Sequence, residues 1–238
     1  MHKPVPVLLQ AAENLRRLFY PLLCKACGNE VFQQEQLLCW RCLEELPFTG
    51  FEQHAENPVK RIFTGRLKLQ EAFGLLYFNK DSITQAVAHR FKYKGEKELG
   101  IFMGEMMGRK MQPIERFQQL DYIIPLPLNK KKLRQRGYNQ AELLAKGVSQ
   151  ILQVPVHTQA VMRTRYTSTQ TKKNRIQRWM NVEHVFDVQE TQSLEGKHVL
   201  LVDDVITTGA TMEAMGEVLL RIPGLQLSLC SLAYASRI

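Results

Sequence analysis

The stretch Val199-Leu200-Leu201-Val202-Asp203-Asp204-Val205-Ile206-Thr207-Thr208-Gly209-Ala210-Thr211 decides the fold of this chain. Four apolar residues in succession, without polar alternation, predict a short strand buried on both faces, as in a parallel sheet. Two carboxylates follow, then a turn rich in Thr and Gly. Beyond the turn, Met212, Met215, Leu219 and Ile222 recur at helical spacing. A turn of this kind ahead of a helix N-terminus can cradle a phosphate, because its backbone N–H groups carry partial positive charge. The hydroxyls of Thr207, Thr208 and Thr211 add donors, and Gly209 permits close approach of the backbone. Asp203 and Asp204 would repel that phosphate and should face another part of the ligand. Vicinal ribose hydroxyls, which donate to carboxylates, fit them, with Mg²⁺ nearby. The bland alternative is an ordinary strand–turn–helix with an Asp pair at its corner. The acid pair, the turn and the buried strand occur together and in order, which favours the sugar-phosphate site.

A chain of 238 residues can bury one sizeable core and carry a small appendage. No apolar run approaches the length of a membrane span. Val5-Pro6-Val7-Leu8-Leu9 is too short and too soon polar for a signal peptide, so a cytoplasmic protein without membrane insertion is expected. The net charge of +9 is unevenly placed. Between Tyr122 and Val182 twelve Lys or Arg face the single acid Glu142, and the rest of the chain is close to neutral. Such a basic quarter calls for a polyanion, either a phosphorylated sugar or nucleic acid, and charge alone does not choose between them.

Residues 5–19 have the spacing of a short amphipathic helix, with Leu8, Ala12, Leu15 and Phe19 on one face. Cys24-Lys-Ala-Cys27-Gly28 and Cys39-Trp-Arg-Cys42 are two Cys-x-x-Cys knuckles, able to supply four thiolates to one tetrahedral Zn²⁺. Two disulfides or a redox pair are the alternatives; a cytoplasmic setting disfavours the first and the duplicated motif the second. With Cys24, Cys27, Cys39 and Cys42 filling all four positions, the metal would be structural. Cys230 reads as a small buried residue of a strand. Glu52–Pro58 is polar and reads as a link between a zinc module over 1–50 and a larger domain over 60–238.

Within the larger domain, strands are expected over Leu69–Phe78, Asp121–Leu128, Gln159–Arg163 and Leu225–Tyr234, with a further edge strand over His184–Val188. Helices are expected over Ile83–Phe91 and 97–111, the latter rich in packing methionines. Another runs on from Asn129-Lys-Lys-Lys-Leu-Arg-Gln-Arg136-Gly-Tyr-Asn-Gln140 to about Leu152. His89-Arg-Phe-Lys-Tyr-Lys-Gly95 mixes bases with aromatics. It would either stack on a nucleobase or single-stranded nucleic acid, or form a solvated helix end with its aromatics turned to the core. Alternating strands and helices from 121 onward predict a parallel sheet with helices on both faces. Ligands of such sheets sit beyond the strand carboxyl ends, where the loops 127–132, 164–173 and 203–211 would converge.

The 199–211 stretch closely resembles the phosphoribosyl-pyrophosphate (PRPP) loop of type I phosphoribosyltransferases. The whole chain resembles the ComF family of phosphoribosyltransferase-like proteins. That likeness runs through the Cys knuckles, Phe91-Lys-Tyr-Lys-Gly95, Pro125-Leu-Pro127, Arg136-Gly-Tyr-Asn-Gln140, Arg163-Thr-Arg-Tyr-Thr-Ser-Thr-Gln170-Thr and the PRPP loop. The resemblance implies an α/β, type I phosphoribosyltransferase-like fold with an N-terminal Cys₄ zinc knuckle. It implies that Asp203 and Asp204 hold the ribose hydroxyls and that Thr207, Thr208, Gly209, Ala210 and Thr211 hold the 5-phosphate. Pro127, Leu128, Asn129 and Lys130 would form the pyrophosphate loop, which departs from the small Gly-containing form of salvage enzymes. Arg163, Arg165, Gln170 and Lys172 would belong to a flexible loop that closes over the reacting centre. The implied cofactors are Mg²⁺, arriving with PRPP, and structural Zn²⁺.

The implied reaction is displacement of pyrophosphate from PRPP by a nitrogen acceptor that the sequence does not identify. A DNA-uptake factor of natural competence is the main alternative, binding single-stranded DNA and retaining PRPP binding without turnover. A PRPP-sensing regulator is the third. The competence machinery is a candidate partner, and the oligomeric state, a homodimer included, is open at the level of sequence.

Overall fold

The structure is a computed structural model that describes residues 21–31, 36–80, 82–163 and 185–236. The helix expected over 5–19 and the loop residues Arg165, Gln170 and Lys172 lie outside the described residues. The chain divides into two compact units, Met1–Leu46 and Pro47–Ile238.

In the first unit the described chain forms a knuckle turn and one short helix, α1 (Trp40–Glu44). Gly28 adopts φ +79°, a left-handed conformation that suits glycine, and its N–H donates back to the Cys24 carbonyl at 3.0 Å. Cys39 caps α1, its sulfur accepting from the Cys42 N–H.

The second unit is organised on β5 (His198–Ile206), which contains the apolar run. Val199, Leu200, Leu201 and Val202 are each fully buried, so both faces of the strand are covered. β5 lies in a four-stranded parallel sheet with β1 (Ala72–Tyr77), β2 (Tyr122–Pro125) and β6 (Gln226–Tyr234), in the order β1-β6-β5-β2. Register is fixed by Val199 opposite Tyr122 and by Asp203 opposite Ser231. Val156 adds a further parallel bridge outside β2, through Ile123.

Helices α2 (Pro58–Ile62), α3 (Ile83–Tyr93), α4 (Lys97–Met111), α5 (Lys130–Arg136), α6 (Gln140–Leu152), α7 (Thr191–Leu194) and α8 (Ala210–Leu219) complete the unit. The α4 helix spans the expected residues, and Met103, Met107 and Met111 are fully buried. Small residues let α4 and α6 approach closely. A Cβ on Gly104 would strike the Leu144 backbone, and one on Gly147 the Ile101 carbonyl. The pair then covers the sheet through α6, which packs on β2 and β5, while α8 packs on β5 and β6.

Three expectations change. The helix read as continuous to Leu152 breaks into α5 and α6. Gly137 ends α5 at φ +79°, and Asn139 starts α6 by accepting the Ala141 N–H at 3.1 Å. The strands expected over 159–163 and 184–188 leave the parallel sheet. As β3 (Val161–Arg163) and β4 (Phe186–Val188) they pair antiparallel with each other. The polar stretch Glu52–Pro58 is part of the second unit rather than a link. Phe51 and Glu52 are buried, and Thr49 donates to the Gly74 carbonyl on β1. Asn57 caps α2 while its amide donates to the Ala72 carbonyl at 2.7 Å.

Candidate active site at the carboxyl edge of the sheet

Asp203 and Asp204 lie near the carboxyl end of β5, one residue beyond the pairing of Val202 with Pro125. Strand alternation sends the two side chains to opposite faces of the sheet. Each meets a cation. Lys92, on the last turn of α3, places its Nζ 2.7 Å from Asp204 Oδ2, with the two side chains only 19% and 17% exposed. Arg163, the last residue of β3, is the other: its charge acts on Asp203, and its guanidinium lies 5.4 Å from the Phe186 ring.

The electrostatics follow from this packing. The Asp203 carboxyl is pushed up to about 7, first by burial and then by the charge of Asp204 beside it. The Asp204 N–H, donating to Asp203 Oδ1 at 2.8 Å, opposes the shift, as do Lys92 and Arg163. Burial in turn lowers the Arg163 pKa, with Asp203 opposing. Adjacent acids held at a strand end, one of them perturbed, form the kind of cluster found where carboxylates serve a ligand.

Ala210 is the first residue of α8, and Gly209 precedes it as the N-cap. Gly209 sits at φ +76°, and a Cβ there would come within 2.8 Å of the Phe63 ring and 2.9 Å of Ile62. Glycine is required by this turn for backbone reasons and for packing against the end of α2. Gly209 has no side chain to cap the helix, and Thr208 Oγ1 reaches the Ala210 N–H only at 3.4 Å. The first-turn amides of any α-helix lack an intrahelical partner. Thr207, Thr208, Ala210 and Thr211 are exposed.

The loop after β2 stands next to this turn in the sheet order. The Leu126 N–H donates to the Val202 carbonyl at 2.9 Å. Pro127 and Leu128 are half-buried and Asn129 is exposed, its Oδ1 accepting the Lys131 N–H at 2.9 Å. Lys130 is the first residue of α5, with Asn129 as its N-cap. Every residue from Lys130 to Gln135 is exposed, so this part of the basic quarter is a solvated helix.

The Arg136-Gly-Tyr-Asn-Gln140 turn ties this loop to α3. The buried Asn139 donates to the Leu126 carbonyl at 3.0 Å. Tyr138 Oη donates to the Phe91 carbonyl at 2.5 Å. Arg136 donates to Gln140 Oε1 at 2.6 Å and to Tyr93 Oη at 3.3 Å, while lying 5.0 Å above the Tyr93 ring. The two readings of the Lys-Tyr-Lys stretch are thus divided between its residues. Phe91 is wholly in the core, and Tyr93 is 60% exposed. The contact of Lys92 with the acid pair escapes sequence reasoning. Its signal was the concentration of bases before Gly95, but nothing in sequence joins that segment to one more than a hundred residues away.

In the first unit the ligand atoms of Cys24, Cys27, Cys39 and Cys42 all lie within 4.8 Å of one another. Cys27 and Cys39 sulfurs are 3.7 Å apart, the edge expected of a tetrahedron with Zn–S bonds of about 2.3 Å. Backbone N–H groups of Cys39 and Ala26 donate to Cys24 sulfur at 3.2 and 3.4 Å. Burial opposes ionisation of Cys24, yet the backbone donors of Cys27, Cys39 and Ala26 outweigh it and bring the thiol to about 6. The cluster is compatible with a structural zinc. Cys230, in β6 of the second unit, is buried, and burial pushes its thiol up.

Residues 139–236 match the phosphoribosyl transferase domain. The chain is 28% identical to DNA utilization protein YhgH of Shigella flexneri over 84% of its own length and 78% of the relative's. It is 27% identical to competence protein F of Haemophilus influenzae, over 90% of each chain. Competence protein ComFC of Bacillus subtilis is 25% identical, over 84% of this chain and 90% of that one. No described helix is long and apolar enough to cross a membrane. The domain match covers the acid pair and its turn, and over most of its length the chain is similar to proteins named for competence and DNA utilization.

Proposed function

We propose that the cleft at the carboxyl edge binds PRPP and that pyrophosphate is displaced there by a nitrogen nucleophile. The observation that carries this reading is the adjacent Asp203 and Asp204 at the end of a buried strand, one turn ahead of an N-cap glycine. The acids would accept hydrogen bonds from the ribose hydroxyls, and the turn Thr207–Thr211 would receive the 5-phosphate on its amides and hydroxyls. Pro127, Leu128, Asn129 and Lys130 would line the pyrophosphate, and Arg163 would lead into a covering segment with Arg165, Gln170 and Lys172. Mg²⁺, when bound with PRPP, supplies charge neutralisation on the departing pyrophosphate. The chain's own cations serve the same end, because negative charge grows on that group as the C1 bond breaks and they are worth more there than in the ground state. No covalent nucleophile from the protein is needed. The test is Mg²⁺-dependent release of pyrophosphate from PRPP across a panel of bases and amines, with the Asp203→Asn/Asp204→Asn double variant as control. Turnover that the double variant abolishes supports the reading; no release with any acceptor removes the transferase part of it.

A second reading is favoured by the exposed basic helix α5 and by the competence names of the relatives: single-stranded DNA binding in DNA uptake, with PRPP binding retained and no turnover. Neutralised phosphates release counter-ions, so affinity for an oligonucleotide should fall steeply with salt. A flat salt dependence argues against this reading.

A further inference from the structure

Two segments that the sequence singled out remain without a task in the reading above: Phe91-Lys-Tyr-Lys-Gly95 and Arg136-Gly-Tyr-Asn-Gln140. The structure joins them around one side chain. Lys92 is fixed from both sides, by Phe91 buried in the core and by Tyr93 under the Arg136 guanidinium. The Tyr138 hydroxyl pins the intervening backbone at the Phe91 carbonyl. From that position the Lys92 ammonium reaches across to Asp204 at 2.7 Å. The same turn holds the β2 loop, through Asn139 on the Leu126 carbonyl. The wall carrying Lys92 and the loop after β2 are therefore set by one five-residue turn.

Held on α3 and largely shielded, Lys92 differs from the exposed lysines of α5. An ammonium and a carboxylate both removed from water gain little net stability from each other, because desolvation offsets most of their attraction. Such a pair makes physical sense where one member is to be exchanged. We propose that Lys92 is a ligand-binding residue of the cleft: it neutralises Asp204 while the cleft is empty and transfers to the pyrophosphate of the incoming sugar when ribose hydroxyls take its place. This rests on the reading of the cleft as a PRPP site. Its consequence is selectivity. A ligand offering only a ribose and a 5-phosphate can engage the acids and the turn but gives the ammonium no new partner, whereas one that also carries a pyrophosphate at C1 does.

The test is calorimetric titration of the zinc-loaded full chain with PRPP and with ribose 5-phosphate, each with Mg²⁺. Wild type is compared with Lys92→Met and with the charge-keeping Lys92→Arg, and thermal melts confirm folding. Loss of one charge-assisted contact to phosphate corresponds to about tenfold or more in affinity. Lys92→Met should lose that factor for PRPP while staying within about twofold for ribose 5-phosphate, and Lys92→Arg should recover most of the loss. An equal loss for both ligands, or none for PRPP, overturns the proposal. Should Lys92→Met not fold, Lys92→Gln, which keeps the length and polarity, is judged by the same two ratios. A wild-type protein that binds neither ligand removes the PRPP reading itself, a result distinct from failure of the Lys92 ratios in a protein that binds both.

Discussion

Asp203 should cost the protein stability at neutral pH, and replacing it should show this. Its carboxyl is raised from an ordinary 3.8 to about 7, by burial first and by Asp204 next. A folded-state pKa above the unfolded one means that the folded chain retains a proton the unfolded chain has lost. The contribution of Asp203 is thus most favourable at or below about pH 4, and it is eroded as pH rises through 7. The rise from 3.8 to about 7 sets a ceiling of about 4 kcal/mol. Lys92 and Arg163 take up part of the penalty, so about 1–2 kcal/mol is the expected share. Asp203→Asn keeps an oxygen to accept the Asp204 N–H and removes the charge. Urea unfolding followed by far-ultraviolet circular dichroism at pH 8, 6 and 4.5 should find the variant more stable than wild type by that amount at pH 8. The gap should shrink toward pH 4.5. PRPP affinity should fall in the same variant, since the lost carboxylate is assigned to the sugar. A variant less stable than wild type at pH 8, or a gap that ignores pH, refutes the argument from burial and paired charge.

Other outcomes follow from the same geometry. Gly209→Ala forces an L-residue to φ +76° against Phe63 and should cost about 2 kcal/mol in unfolding free energy, with weakened PRPP binding in calorimetry. Gly147→Ala sets a methyl against the Ile101 carbonyl and should lower stability by about 1–3 kcal/mol through the α4–α6 contact. Tyr138→Phe removes one hydrogen bond to the Phe91 carbonyl; it should cost about 1 kcal/mol and loosen Lys92, seen as reduced preference for PRPP over ribose 5-phosphate. Metal analysis should return one zinc per chain. Cys27→Ser should lower that content, and Cys230→Ser, with its sulfur buried in β6, should leave it unchanged.

What could be read from sequence was what local pattern dictates. Four successive apolar residues cannot alternate, so β5 had to be covered on both faces, and Val199–Val202 are. The Cys-x-x-Cys spacing brings four sulfurs together because the knuckle turn is itself local. The break between α5 and α6 was also local, a Gly that stops one helix and an Asn that starts the next, but the run of bases before it concealed it. Long-range pairing was the hidden part. The Val161–Arg163 segment has the composition of a sheet strand, yet it pairs with Phe186–Val188 and not with β2, and three-residue strands carry too little pattern to choose a partner. Lys92 was hidden for the same reason. Its meeting with Asp204 depends on where α3 ends relative to β5, which packing decides and no spacing encodes.

A structure of the zinc-loaded protein with PRPP and Mg²⁺ bound tests the central claim most directly. Ribose hydroxyls are expected within hydrogen-bonding distance of Asp203 and Asp204, the 5-phosphate on the amides of Thr207–Thr211, and Lys92 moved from Asp204 to the pyrophosphate. Ligand bound elsewhere on the chain, or the 5-phosphate turned away from the start of α8, would contradict it.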